Sequence, residues 1–287
     1  MTTRLCDQEV ARLGNRVMSP TPIISVDIGN ARLKLGLFAP PLGPSLPEPR
    51  SILRLDDTSL DMSPLVQWLR RMSDELQQDG QPLDKFSWWI GSVNRDVASR
   101  LVTWLRDHRP NDRVMMLAAN DLPLAIELPH PDRVGIDRLL DAVAVNRVRA
   151  PRRPAVIVDV GTAITVDLVS SGGAFLGGSI LPGIAMSARA LHEFTDLLPL
   201  IEMSQLESRP PVLGTETVAA MRSGLFWGAL GAIREITNRL AEGQPPAIFL
   251  TGGAGPAVAQ LLGHGARHVP HLTLAGIALS VLSPQQP

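Results

Sequence analysis

The sequence predicts an α/β fold of two similar lobes with a cleft between them. Three observations predict it. One phrase is written twice, "ISVDIGNARLKLGLF" at residues 24–38 and "VIVDVGTAITVDLVSSG" at residues 156–172, its aspartates 132 positions apart (159 − 27). Each copy leads into a mixture of strand-like runs and helical periodicity. Between them "PRRP" at 151–154 breaks the pattern, because proline sustains neither a helix interior nor a ladder. A repeat this long exceeds the roughly 20–50 residues of a solenoid unit, so each copy opens a lobe of its own. The expected division is a leader at 1–22, an N-terminal lobe at 23–150 and a C-terminal lobe at 151–287.

The elements follow in order. "ISVDIG" and "ARLKLGLF" are two strands joined by a tight turn at Gly29-Asn30. The proline-rich 39–51 stretch is a loop. In "SPLVQWLRRMSDELQQDG", Leu65, Trp68, Leu69 and Met72 fall on one helix face and Gly80 stops it. "FSWWIGSV" reads as a strand, "RDVASRLVTWLRDH" as a helix and "RVMML" as a strand. In "GIDRLLDAVAVNRVRA", Ile136, Leu139, Leu140 and Val143 line one face at i, i+3, i+4, i+7. The second lobe restarts with a meander, "AVIVDVG", "TAITVDLV" and "GAFLGGSIL". A helix then begins with Pro182 in its first turn. A long glycine-bearing helix, the strand "AIFLTGG" and a last helix from about Leu272 complete the chain.

Composition narrows the function classes. A net charge of −1 argues against general nucleic-acid or membrane-surface binding. One cysteine, Cys6, excludes an internal disulfide framework and points to a reducing, cytoplasmic setting. No apolar run approaches the roughly 18 residues that span a bilayer. The leader mixes charge throughout and lacks the apolar centre of a signal peptide; we expect it to be poorly ordered or a short helix. The six histidines do not cluster, and His264 and His268 at i, i+4 are interrupted by Gly265, so no structural zinc is expected.

The doubled phrase has a chemical reading. No Gly-x-x-x-x-Gly-Lys-Ser/Thr loop occurs. A tight β-turn is another way to hold phosphates, since glycine lets backbone N–H groups approach closely. An aspartate at the preceding strand end can bind Mg²⁺ through water. Two such turns, one per lobe, would grip a polyphosphate from both sides, and "AIFLTGGAG" adds a strand running into paired glycines on which an adenine could lie. A single Asp-x-Gly is most often only a turn. Lys34, on the same hairpin face as Arg32, is either an exposed strand lysine or a cation set against phosphate. Asp137, in the first turn of its helix, suits the macrodipole whether or not it is catalytic.

Seven motifs in order carry a resemblance: "DIGNARLKLG", "VGIDRLLDAVAV", "VDVGTAITVD", "GGSILPGI", "LGTETVAAMRSG", "FLTGGAG" and "LTLAGI". From about Ile23 to Ser283 the chain resembles the type III pantothenate kinases, members of the actin-like superfamily of acetate and sugar kinases. The resemblance implies two actin-like, ribonuclease H-like domains and ATP-dependent phosphorylation of pantothenate to 4′-phosphopantothenate, the first step of coenzyme A synthesis. It also implies Mg²⁺, a monovalent cation (K⁺ or NH₄⁺) and a homodimer with its active site near the interface.

Residue by residue, the resemblance implies that Asp27 organises Mg²⁺ and phosphate, with Gly29, Asn30 and Lys34 completing that turn. Gly161 and Thr162 make the second phosphate turn and Asp159 holds the monovalent cation. Gly252 and Gly253 face the adenine. Gly135, Ile136, Asp137 and Arg138 bind substrate, Asp137 as general base and Arg138 through a planar fork that suits a carboxylate. Pairing of Arg138 with Asp141 or Asp132 is the alternative. Thr217 resembles the threonine that touches pantothenate from the other subunit, with Thr215 competing. Two departures stand out: Ala31 replaces the first motif's threonine, and the tyrosine often found before Gly-x-Asp-Arg is absent, leaving His130 or nothing. A regulatory relative without activity, or a kinase of another small hydroxylated acid, are the competing functions; the retained Asp137 argues against the first.

Overall fold

The computed structural model describes residues 21–55, 61–79, 85–202, 209–240, 245–253, 258, 261–262 and 265–281. The leader with Cys6, the helix stop at Gly80, Gly255 and His264 lie outside them. Among the described residues ten strands form two five-stranded sheets. The first comprises β1 (Ile23–Ile28), β2 (Leu33–Phe38), β3 (Ser51–Leu55), β4 (Ser87–Ser92) and β5 (Arg113–Met116), in the order β3-β2-β1-β4-β5. The second comprises β6 (Ala155–Val160), β7 (Ala163–Val169), β8 (Phe175–Pro182), β9 (Ala247–Thr251) and β10 (Ala266–His268), in the order β10-β9-β6-β7-β8. Counted from its first strand, each sheet has the same order and the same senses: an antiparallel three-strand meander, then two parallel strands. The doubled phrase is a doubled lobe.

Side-chain alternation along β1 and β6 decides what each sheet face packs against. In β1, Ile24, Val26 and Ile28 turn outward into a core with helices α1 (Ser63–Gln78) and α2 (Arg95–His108). In β6, Val156, Val158 and Val160 do the same toward α5 (Thr217–Leu240). The odd positions turn inward, where Ile23 and Ile157 join one core with α3 (Ile136–Val148) and α6 (Leu272–Ser280). Asp27 and Asp159 occupy the last inward positions of their strands. The remaining helix, α4 (Ile184–Glu193), packs against α5.

The helices α3 and α6 are therefore the wall between the sheets. All nine residues of α6 are buried, and the helix packs on β1, β2 and β4 as well as on α3. The crossing is close because position 276 is glycine: a Cβ there would overlap the Leu140 carbonyl. Three local readings change. Strands β3 and β10 were not foreseen. Pro182 ends strand β8 rather than entering the helix, and Gly183 is the residue that caps α4.

Candidate active site

Each lobe brings its aspartate to the site by the same construction. Asp27 stands opposite Lys34 across the β1/β2 hairpin, and the Lys34 ammonium lies 3.4 Å from its carboxylate. The turn closes with the Gly29 N–H donating to the Arg32 carbonyl at 2.9 Å. In the second lobe Asp159 stands opposite Thr165, and the Gly161 N–H donates to the Ala163 carbonyl at 3.0 Å. Leu33 and Leu35 are fully buried, so Lys34 is left on the partly exposed hairpin face. Asn30, Ala31, Arg32, Gly161 and Thr162 are exposed at the two turns.

The first turn approaches the segment that follows β9 in the second lobe. A Cβ on Gly253, in the second lobe, would stand 3.5 Å from the Arg32 guanidinium of the first. Gly252 has a positive φ of 86°, and a Cβ there would overlap an Asp159 carboxylate oxygen. Only glycine leaves that cradle open. Asp137 reaches the same space from the N-terminus of α3, where the Arg138 N–H donates to its Oδ1 at 2.9 Å.

Burial dominates the electrostatics of these groups, with the neighbouring charges acting on each. Burial pushes the Asp159 carboxyl up from the ordinary 3.8 to about 7; Lys34 opposes the shift, while Asp27, Asp137 and Asp167 add to it. Burial also raises Asp27, with Lys34 lowering it and Asp137 raising it. Asp141, one turn beyond Asp137 on α3, is pushed well above the usual range, first by burial and then by Asp159, against a 2.9 Å hydrogen bond from the Thr273 hydroxyl. Several carboxylates thus crowd a desolvated space with Lys34 as counter-charge at the hairpin. Such a set is short of positive charge, which fits a cation and the donors of a metal-phosphate group. Among the described residues no three His, Cys, Asp or Glu side chains close into a metal cage.

Arg138 is placed differently from either local pairing. Its guanidinium forks onto Asp167 of β7, with Nε donating at 3.0 and 3.2 Å and Nη2 also bonded to Oδ1. Its other face lies over Phe175, 5.6 Å from the ring centroid. Asp167 ends the motif "VDVGTAITVD"; it shares the inward face of β7 with Thr165, the partner of Asp159, and that alternation is the signal the sequence holds. Thr217 is the exposed first residue of α5, Thr215 is exposed just before it, and His130 is exposed ahead of a short 3-10 turn. No described contact joins these three to the carboxylate cluster.

The sequence profile of the type III pantothenate kinases matches residues 23–239, across both turns and the Gly-x-Asp-Arg segment. The chain belongs to the type III pantothenate kinase family. It is 35% identical over 195 residues to a type III pantothenate kinase of Acidiphilium cryptum (strain JF-5), covering 67% of this chain and 71% of that one. It is 41% identical over 161 residues to one of Dehalococcoides mccartyi, covering 54% and 58%. The match thus spans from over half to about seven-tenths of these relatives' length. Among solved structures, ethanolamine utilization protein EutJ of Carboxydothermus hydrogenoformans superposes with a TM-score of 0.49 at 14% identity, over 91% of this chain and 90% of that one. The two sheets of equal strand order form the mixed α/β architecture of two similar halves that the resemblance implied. No helix among the described residues is long and apolar enough to cross a membrane.

Proposed function

We propose that this chain transfers the γ-phosphate of ATP to the terminal hydroxyl of pantothenate, with Asp137 as general base. The observation that carries this reading is the convergence of Asp27, Asp159 and Asp137, delivered by two lobes and the helix between them, on one charge-crowded space. The turns at Gly29-Asn30 and Gly161-Thr162 hold the phosphates, with Lys34 offsetting their charge. Gly252 and Gly253 lie beside the adenine. Asp27 would hold Mg²⁺ through water and Asp159 the monovalent cation, K⁺ or NH₄⁺. These ions supply positive charge that neutralises the phosphates as charge develops on them.

Gly135 and Ile136 set the start of α3, and Asp137 turns one carboxylate oxygen to its own helix N-terminus. The other oxygen accepts the proton of the attacking hydroxyl. A base held this way loses no time finding its orientation, which is where positioned proton transfer gains its rate. Arg138 meets the carboxylate of pantothenate.

The same reading makes the working unit a homodimer. Phe194 and Leu197, which follow α4, are 84% and 87% exposed, and Leu213, ahead of α5, is 78% exposed. Along α5, Ala220, Gly224, Gly228 and Gly231 present one smooth exposed face. Large apolar side chains beside such a face favour close contact with a second copy. Thr217, at the edge of this surface, then reaches the partner's substrate, with Thr215 as its competitor. One cysteine in 287 residues fits work in a reducing cytoplasm.

The test is ADP release coupled to pantothenate, with and without potassium, in wild type and Asp137→Asn. The variant is expected to keep its fold and ATP binding while turnover drops by about 10²–10⁴-fold, the usual worth of a positioned base. Wild-type-like turnover in Asp137→Asn would remove the assignment.

A further inference from the structure

The pair Arg138–Asp167 is more than an ion pair between lobes. Asp167 is on the inward face of β7, and its side chain is only 2% exposed. Burying a carboxylate is costly, so its partner must be good. Two features make room for it. Its cross-strand neighbour is Gly178, where a Cβ would overlap the Asp167 Oδ1. Thr165, two positions back on the same strand face, adds a polar neighbour that favours the charged carboxylate. The carboxylate is therefore itself immobile before it meets arginine.

The arginine is gripped on two sides. Asp167 takes the side edge of the guanidinium, Nε and Nη2, and Phe175 covers one flat face. Guanidinium carries five donors in a rigid plane. The fork onto Asp167 uses Nε–H and one Nη2–H. Both Nη1 hydrogens and the second on Nη2 remain, and among the described residues they meet no protein acceptor. Two of those three, one on Nη1 and one on Nη2, lie along the end edge, and the third, on Nη1, faces the Cδ side. The arginine side chain is 14% exposed against 2% for its partner, so what exposure the pair has belongs to the arginine. Asp137 borders this pair closely enough that its charge is felt at Asp167. Arg138 follows Asp137 directly on α3, and its backbone N–H donates to the Asp137 carboxylate, so the pair starts beside the base.

We propose that Asp167 is a positioning residue for substrate recognition: it occupies the side edge of Arg138 so that the end edge is aimed, in advance, at the carboxylate of the acyl acid being phosphorylated. This rests on the reading of Arg138 given above. An arginine left to choose its rotamer loses freedom when it binds; one already locked does not, and that difference appears as affinity. Asp167 never touches substrate, so its loss should weaken binding of the acid form and leave the chemical step nearly intact.

The experiment measures kcat and KM for pantothenate and for its neutral alcohol analogue, in which the carboxylate is replaced by hydroxymethyl. The variants are Asp167→Asn, Asp167→Glu, Arg138→Lys and the double variant Asp167→Asn with Arg138→Lys. Asp167→Asn is expected to raise KM for the acid on the order of tenfold, the scale of one charge-assisted hydrogen bond, with little change in kcat or in KM for the alcohol. In the Arg138→Lys background the same substitution should add nothing. A wild-type KM for the acid in Asp167→Asn, or an equal rise on both substrates, overturns the proposal. If Arg138→Lys leaves KM for the acid unchanged, the reading of Arg138 falls as well; if Arg138→Lys is impaired and Asp167→Asn is not, only Asp167's role falls. Should Asp167→Asn not fold, Asp167→Glu is judged alike: a rise confined to the acid supports the proposal, and an equal rise on both substrates overturns it.

Discussion

Gly276→Ala tests whether the packing of α6 sets the position of the base. An added Cβ would stand 2.7 Å from the carbonyl carbon of Leu140 and nearer still to its oxygen. Ordinary contact begins at 3.4 Å and the Leu140 oxygen would stand only 2.0 Å away, so the helices must separate by about 1.4 Å (3.4 − 2.0). The obstacle is backbone, and it cannot rotate away. Leu140 follows Asp137 by three residues on the same helix, so moving one moves the other. A misplacement of about 1 Å at a reacting group costs about 10²-fold in rate. Overpacking a core of this kind costs about 1–3 kcal/mol of stability. We expect Gly276→Ala to lower kcat by about 10–100-fold with ATP binding retained, because the phosphate turns belong to the hairpins rather than to α3. The control is Gly91→Ala, whose Cβ meets the mobile end of the same Leu140 side chain at 2.6 Å and should leave kcat within about threefold. Steady-state kinetics and thermal melting on both variants decide the matter. Full kcat in Gly276→Ala, whatever its melting point, would refute the coupling of this crossing to the base.

The other predictions concern charge and assembly. Asp141 is held above its unfolded value of 3.8 by burial, so the folded chain keeps this proton to higher pH than the unfolded chain. Stability from this group is therefore lost as pH rises above about 4, and Asp141→Asn should melt higher than wild type at pH 8 with the gap closing near pH 4; a pH-independent gap would contradict the burial argument. Replacing Phe194 and Leu197 together with aspartate should give a particle of 30.9 kDa in sedimentation and raise KM for pantothenate. A dimer mass in that variant would place the interface elsewhere. Potassium withdrawal should lower turnover in wild type and have a smaller effect in Asp159→Asn, read in the ADP-release assay; equal losses would take the cation away from Asp159.

Much of this was legible in the residues. The doubled phrase became two sheets of one strand order, and its two aspartates fell on inward positions because strand side chains alternate. The helix boundaries of 63–78 and 95–108 followed from apolar periodicity and flanking polar residues. Strand β3 was missed because "SILRL" has no clean alternation and follows a proline-rich loop, and β10 because three residues carry no period. Chain spacing suggests partners for Arg138 at 132 and 141, yet its partner is 29 residues away on β7. Local spacing says nothing of a contact made by another strand.

By itself the sequence determined the alternation of elements, the duplicated hairpin and the set of chemical groups, because apolar period and turn chemistry act over a few neighbouring residues. Only the tertiary structure decided which of those groups share a space. The crossing of α3 on α6 at Gly276, the glycine opposite Asp167 and the approach of Arg32 to Gly253 are contacts between distant segments, set by steric fit rather than by pattern.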